Sequence, residues 1–437
     1  MNEGVTLPRL VQRFLQQFTT LWWRCDTCLP GLGPTYTTRE KLAREAHLKR
    51  FLDTLTSELE QPPRTSSERY ATQEHIFSAF GAFARSALDF KEPHLDVLRS
   101  RGFTQMAMEF AHAARRFDPT ISASDILQAT RNAWVMNGLQ MLLGLPVGLT
   151  PAMTGYSLLY PYTDNYLDDP TIPEDAKTAF NERLARRLTG ENISPINAQE
   201  RAIYDLVGMI ENQFDRSQYP DVFESLLAIH CGQARSLSLL RRDASPYEVD
   251  VLGISIEKGG ASVLADGYLV AGSLTEAQAE FMFGYGAFLQ IEDDLQDVHQ
   301  DHKDGLLTVF SQTARRWPLD RVTSRTFHFG AKVLERLDCF DAPGLEPLKE
   351  LMQRSAILLP IEAAGGAGHL FSRRYIRELE AHSPFRFSFL KKQRRKLVRQ
   401  RVSMMRLIEA YATANGAGSL MASSSGEGHT LVDRLAQ

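Results

Sequence analysis

The stretch GYGAFLQIEDDLQDVHQD (Gly284–Asp301) places acid at the end of an apolar run. Its apolar residues recur at helical spacing, so it reads as a buried helix whose final turns become acidic. Asp293, Asp297 and Asp301 stand four residues apart. On an α-helix that spacing drifts about 40° per step and spans about 12 Å, which makes one acidic stripe. Asp294 flanks it, and Lys303-Asp304-Gly305 then supplies a turn with a glycine suited to a helix C-cap. Like charges at i, i+4 each cost a helix a few tenths of a kcal/mol, and the negative end of the helix dipole adds to that cost. A compensating cation is therefore expected. Magnesium suits the position because it prefers carboxylate oxygens and keeps places for water and phosphate.

A second acidic end lies upstream in YPYTDNYLDDP (Tyr160–Pro170), again after a long apolar stretch and before a helix-stopping proline. Asp164 and Asp168 project from one helix face, with Asp169 beside them. Facing each other, two such ends would hold a diphosphate through bridging magnesium ions. The plainer alternative is a pair of solvated acidic helix ends.

Around these motifs the chain is patterned for helices almost throughout. Strand-like alternation and Asn-Gly hairpin turns are nearly absent, and an all-α fold is expected. Pro and Gly clusters cut the 437 residues into helix-sized pieces. They suggest an N-terminal helical extension over 1–65, a main body over 66–412 and a Gly/Ser-rich flexible tail over 413–437. A content of 43% hydrophobic and 23% charged residues is enough for a packed core and excludes a disordered class. The formal charge of −4 gives no reason to expect a nucleic-acid partner. Four irregularly spaced cysteines argue against a disulfide framework, and no secretory pattern opens the chain, so the cytoplasm is the expected compartment. Cys25 and Cys28 form a single CxxC pair, open to a metal, redox or purely structural reading. The most apolar window, Val135–Met153, is interrupted by Asn137, Gln140, Pro146 and Pro151. No transmembrane segment is expected, since a span needs about 20 mostly apolar residues.

With these motifs the sequence resembles the class I isoprenoid-synthase superfamily, which holds prenyl diphosphate synthases and class I terpene synthases. The likeness runs over most of residues 125–380. Phe288–Val298 is similar to the second aspartate motif, DDxxD, of prenyl synthases. Asp293, Asp297 and Asp301 also match the spacing of the second metal triad of terpene synthases, with Asp in place of the usual Asn, Ser or Thr, and Glu. Asp164, Asp168 and Asp169 stand where the first motif belongs, in a DxxxD form. Lys258-Gly-Gly-Ala-Ser precedes the second motif at about the distance where the superfamily has a kinked helix and a diphosphate-binding lysine. The glycines here fit either such a kink or an ordinary turn. Arg374-Tyr375 has the spacing of the Arg-Tyr pair of microbial terpene synthases, and Arg374 is equally readable as a surface arginine.

What the resemblance implies is a helical bundle around a central cavity and a cluster of about three magnesium ions on the two acidic ends. Lys258, Arg374 and Tyr375 would meet the diphosphate, and the substrate would be an allylic prenyl diphosphate. The chain departs from the chain-elongating branch. Pro-Thr-Ile-Pro follows Asp169 where an arginine pair would stand, and Arg131 is the single base near the upstream position. A terpene synthase is thus expected, with a prenyltransferase and a non-catalytic isoprenoid-binding protein as alternatives. Aromatic and sulfur side chains between the motifs, among them Trp134, Met136, Tyr160, Phe283 and Phe288, would suit a carbocation pocket or plain core. The basic run Lys391–Arg401 reads as a solvated helix face or as a peripheral membrane contact, and a homodimer stays open.

Overall fold

The computed structural model describes residues 7–60, 63, 65–99, 102–169, 171–241, 244–245 and 248–399. The expected tail over 413–437 lies outside them. The described chain is all-helical: α1 (Leu7–Arg24), α2 (Thr38–Glu60), α3 (Ser66–Ala87), α4 (Glu92–Arg99), α5 (Gly102–Phe117), α6 (Ala123–Leu142), α7 (Pro151–Asp168), α8 (Glu174–Leu188), α9 (Ala198–Gln213). There follow α10 (Pro220–Ser236), α11 (Val251–Ala271), α12 (Glu276–Gln296), α13 (Val298–Asp304), α14 (Val309–Ala314), α15 (Asp320–Leu334), α16 (Glu346–Gly366), α17 (Arg373–His382) and α18 (Phe387–Arg399). Local chemistry sets many of the starts. Thr275 and Gln278 form a reciprocal capping box on α12, Asp250 accepts from the Gly253 amide on α11, and Ser122 accepts from Asp125 on α6.

The described residues divide into two compact units. The first takes its residues from Met1–Gly33, Tyr162–Pro343 and Lys349–Leu379, the second from Pro34–Pro161, Gly344–Leu348 and Glu380 onward. In the first unit α11 and α12 pack side by side, with α10 on α11, α15 on α12, and α1 against all of these neighbours. The contact surface of α1 is an aromatic ridge. Phe14 and Phe18 lie 5.7 and 5.9 Å from Phe283, and Trp22 meets Phe329 edge-on at 5.5 Å. Phe18 sits over Gly284 and Phe288 over Gly330, so a side chain at either glycine would enter a ring. The CxxC turn docks on α15. Arg325 donates to the Cys25 carbonyl and His328 to that of Cys28, while Asp26 accepts from the Cys28 amide at 2.8 Å. Cys25 is buried, Cys28 is exposed, and both thiols are free.

The second unit has its own aromatic core. Phe51 of α2 stacks on Phe83 of α3 at 5.5 Å, and Phe83 stacks in turn on Phe385 at 6.3 Å. Glu45, buried on α2, takes a fork of two bonds from the Arg386 guanidinium and a third from its backbone amide.

Candidate functional site

The acidic end of α12 is continued by α13 with a slight break at Asp297, whose backbone sits at φ −95°, ψ 10°. The helical ladder persists across the break, since the Asp297 amide donates to Asp293 and that of Asp301 to Asp297, both at 2.9 Å. Gly305 ends α13 at φ 75°, ψ 25°, the left-handed C-cap expected from the sequence.

The four aspartates do not share one exposure. Asp293 is exposed and Asp297 half-buried, whereas Asp294 and Asp301 are 5% and 8% exposed. Of the expected stripe of Asp293, Asp297 and Asp301, the first residue faces solvent and the last is buried, with Asp294 buried beside them. Both Asp294 and Asp301 lie near this junction, one on α12 and one on α13, with Asp297 at the break between them.

Electrostatics in this row is adverse for charge. Burial pushes Asp294 up to about 7, and the neighbouring Asp293 adds to it. Three groups oppose the rise: the Gln290 amide, which donates to Oδ1 at 2.9 Å, the Lys258 ammonium, and the Ser255 hydroxyl, which falls short of hydrogen-bond geometry. Oδ2 has no hydrogen-bond partner among the described residues. Asp301 is pushed up to about 8 by burial and then by Asp294, Asp297, Asp293 and Asp304 in turn. Five carboxylates thus act on one helix end, with Lys258 the one cation acting on Asp294.

Lys258 lies on α11, half-buried, and the two glycines after it are neither a turn nor a break, because the helix runs unbroken from Val251 to Ala271. Their function is close packing. A Cβ on Gly259 would stand 2.5 Å from the Gly286 carbonyl oxygen, and one on Gly260 would stand 2.7 Å from the Phe283 ring. Gly259 and Gly286 therefore bring the backbones of α11 and α12 together, which sets Lys258 and Ser255 beside the aspartate helix.

The first aspartate motif also lies at the end of its helix. Pro161 stands inside α7, and the last residue of the helix is Asp168, whose side chain lies outside the described set. Tyr166 packs on Phe180 of α8 with ring centroids 4.5 Å apart, and Gln199 of α9 donates to the Tyr162 carbonyl at 2.7 Å. Asp164 is half-buried. Asp169 is just past the helix, where its Oδ1 accepts from the Thr171 amide at 2.8 Å and hydroxyl at 2.6 Å. Those two bonds hold its carboxyl below the usual carboxylate range. Asp164, Asp168 and the second row belong to the same compact unit.

Among the described residues no group of three or more His, Cys, Asp or Glu side chains is placed to hold a metal ion. Magnesium seldom needs one. It commonly takes one or two carboxylates and fills its octahedron with water and substrate phosphate.

Arg374 is exposed on the first turn of α17. Tyr375 is turned inward: its hydroxyl shares a 2.9 Å hydrogen bond with Ser324 of α15, its ring stacks on Phe371, and burial pushes its phenol up. The tyrosine thus anchors α17 on α15. His369, in the turn before α17, stacks on His299 of α13 at 4.5 Å and 3°, which brings the segment leading to Arg374 against the acidic helix. Ser255, Gln290 and this histidine pair belong to no recognisable motif. Gln290 lies four residues before Asp294 and Ser255 three before Lys258, so helical spacing from the motif residues points to both.

Of the basic run, Lys391 and Lys392 are exposed on α18, and the side chains from Arg395 onward lie outside the described residues. No helix among the described residues is long and apolar enough to cross a membrane. No family model, no curated protein and no solved structure matches the chain.

Proposed function

We propose that the protein is a magnesium-dependent enzyme that ionises an allylic prenyl diphosphate, in the manner of a class I terpene synthase. The observation that carries this reading is the acidic end of α12 and α13, where Asp294 and Asp301 are buried and Asp297 half-buried, with Asp293 and Asp304 acting on them and Lys258 alongside. Carboxyls accumulated this way either keep their protons or, once ionised, call for a shared cation.

In this reading Asp164 and Asp168 from one helix end, and Asp293, Asp294, Asp297 and Asp301 from the other, hold the ions. Bound magnesium supplies positive charge that stabilises the diphosphate as a leaving group. Lys258, fixed on α11 by the close contact with α12, adds a charge that needs no reorganisation during the reaction. Arg374 offers planar donors to phosphate oxygens, and Tyr375 holds the helix that presents it. Gln290 orients the Asp294 carboxylate. Apolar walls would keep water from the allyl cation while it eliminates or cyclises.

The test is incubation of the purified protein with magnesium and allylic diphosphates of increasing chain length, reading pyrophosphate release and the extracted product by mass. Release with a hydrocarbon or alcohol product supports the reading. Turnover that strictly requires isopentenyl diphosphate or another acceptor identifies a prenyltransferase. Binding without release, independent of magnesium, identifies a non-catalytic isoprenoid-binding protein.

A further inference from the structure

Two segments far apart in sequence meet at one corner of the first unit. The Leu319 amide donates to the Leu370 carbonyl at 3.0 Å, and Asp320 accepts from the Ser372 amide at 2.9 Å and from its hydroxyl at 2.5 Å. The turn ending α14 is thereby joined to the turn that starts α17. Along the first run Arg315, Arg316, Trp317 and Arg321, all exposed, and along the second Arg373, Arg374 and Arg377, also exposed. Set against a formal charge of −4 for the whole chain, this corner is a concentrated region of opposite sign. Two acids accompany these arginines: Asp320, which is engaged by Ser372, and Glu378, which is exposed on α17. Among the described residues no ion pair joins Arg316, Arg321, Arg373 or Arg374 to a carboxylate, and Trp317 is 63% exposed.

We infer that this corner, with Trp317 at its tip and arginines on both sides, is a docking surface for an anionic membrane. An indole with an apolar body and one polar N–H is stable at the level of lipid headgroups, and arginines beside it are attracted to an anionic leaflet. Single-stranded nucleic acid also takes arginine with aromatic rings, but it stacks successive bases on successive rings. Here one ring is presented, because Phe371 and Tyr375 of the adjoining segment are buried. The corner is separate from the basic run of α18. It stands on these exposures and hydrogen bonds alone and does not depend on the catalytic proposal.

The test is sedimentation of the full chain with phosphatidylcholine vesicles and with vesicles in which roughly a third of the lipid is phosphatidylserine. Binding is expected to the anionic vesicles alone and to fade as salt is raised. Arg316→Glu with Arg321→Glu should lower the partition coefficient roughly tenfold or more, and Trp317→Ala should lower it without changing the salt dependence. These side chains are exposed, so the thermal midpoint should stay put, and a shifted midpoint would be separated from lost binding by repeating the assay with Arg316→Gln and Arg321→Gln. With brominated lipid, quenching of tryptophan emission should disappear in Trp317→Phe. Equal binding to neutral vesicles, binding unchanged in the charge-reversed variant, loss only on replacing Lys391 and Lys392, or tighter retention on a single-stranded oligonucleotide would each overturn the inference.

Discussion

The two acidic helix ends look alike in sequence and differ in how the fold treats them. At the end of α7, Asp169 is absorbed by a local turn, where Thr171 satisfies it and lowers its pKa. At the junction of α12 and α13, Asp294 and Asp301 are buried, and each is raised by burial together with neighbouring aspartates. A carboxylate that closes a turn is stable in the protein as it stands. Buried carboxyls stay stable by keeping their protons, and ionising them would call for a compensating cation. The second end is therefore the better evidence for chemistry, and the first has to be judged by Asp164 and Asp168 alone.

The comparison breaks most sharply on activity. Asp293→Ala and Asp297→Ala should lower kcat/KM by about a thousandfold or more, roughly 4 kcal/mol of transition-state stabilisation, with the helical spectrum unchanged. Asp164→Ala should match them. An Asp164 variant with full activity would remove α7 from the site and leave the α12–α13 row to act alone.

A next effect is in stability against pH. Free carboxylates titrate near 3.9 in an unfolded chain, whereas Asp294 and Asp301 titrate at about 7 and 8 in the folded one. Between those limits the native state holds more protons than the unfolded state. In chelator, stability should therefore be fully present near pH 4 and fall by a few kcal/mol as the pH rises to about 8. Saturating magnesium should flatten that slope, as should Asp294→Asn with Asp301→Asn. Urea melts at stepped pH decide it, and a slope of the opposite sign would exclude the raised pKa values.

Packing distinguishes the ends next. Gly259→Ala places a methyl group into the Gly286 carbonyl and should cost about 1–3 kcal/mol, disturbing the spacing of Lys258 and Asp294 together. The smallest effect is expected from Asp169→Ala, with turnover near that of the parent and the thermal midpoint lower by about two degrees. A large loss of activity there would show that Asp169 serves more than its turn.

Much of this was readable from the residues. Apolar spacing marked an all-helical chain, and Gly305 marked the end of α13 because an αL cap favours glycine. Both acidic segments were read as helix ends, as they are. The division of labour inside the second motif was not legible. Stepping by four residues selects Asp293, and only the side on which α11 packs shows that Asp294 is the buried partner of Asp301. The weak helix propensity of Gly259 and Gly260 leaves a turn open in the sequence, and the Gly286 and Phe283 of α12 that face them within a continuous helix are not visible there. Tyr375 carried a spacing but no sign of the Ser324 hydroxyl that engages it. Propensity belongs to one residue, and these outcomes belong to pairs distant in the chain.

The meeting of Gly259 with Gly286 also governs motion. Two backbones in such intimate apposition leave no slack for one rod to slide past the other, so the lysine and the aspartate they carry move as a single piece.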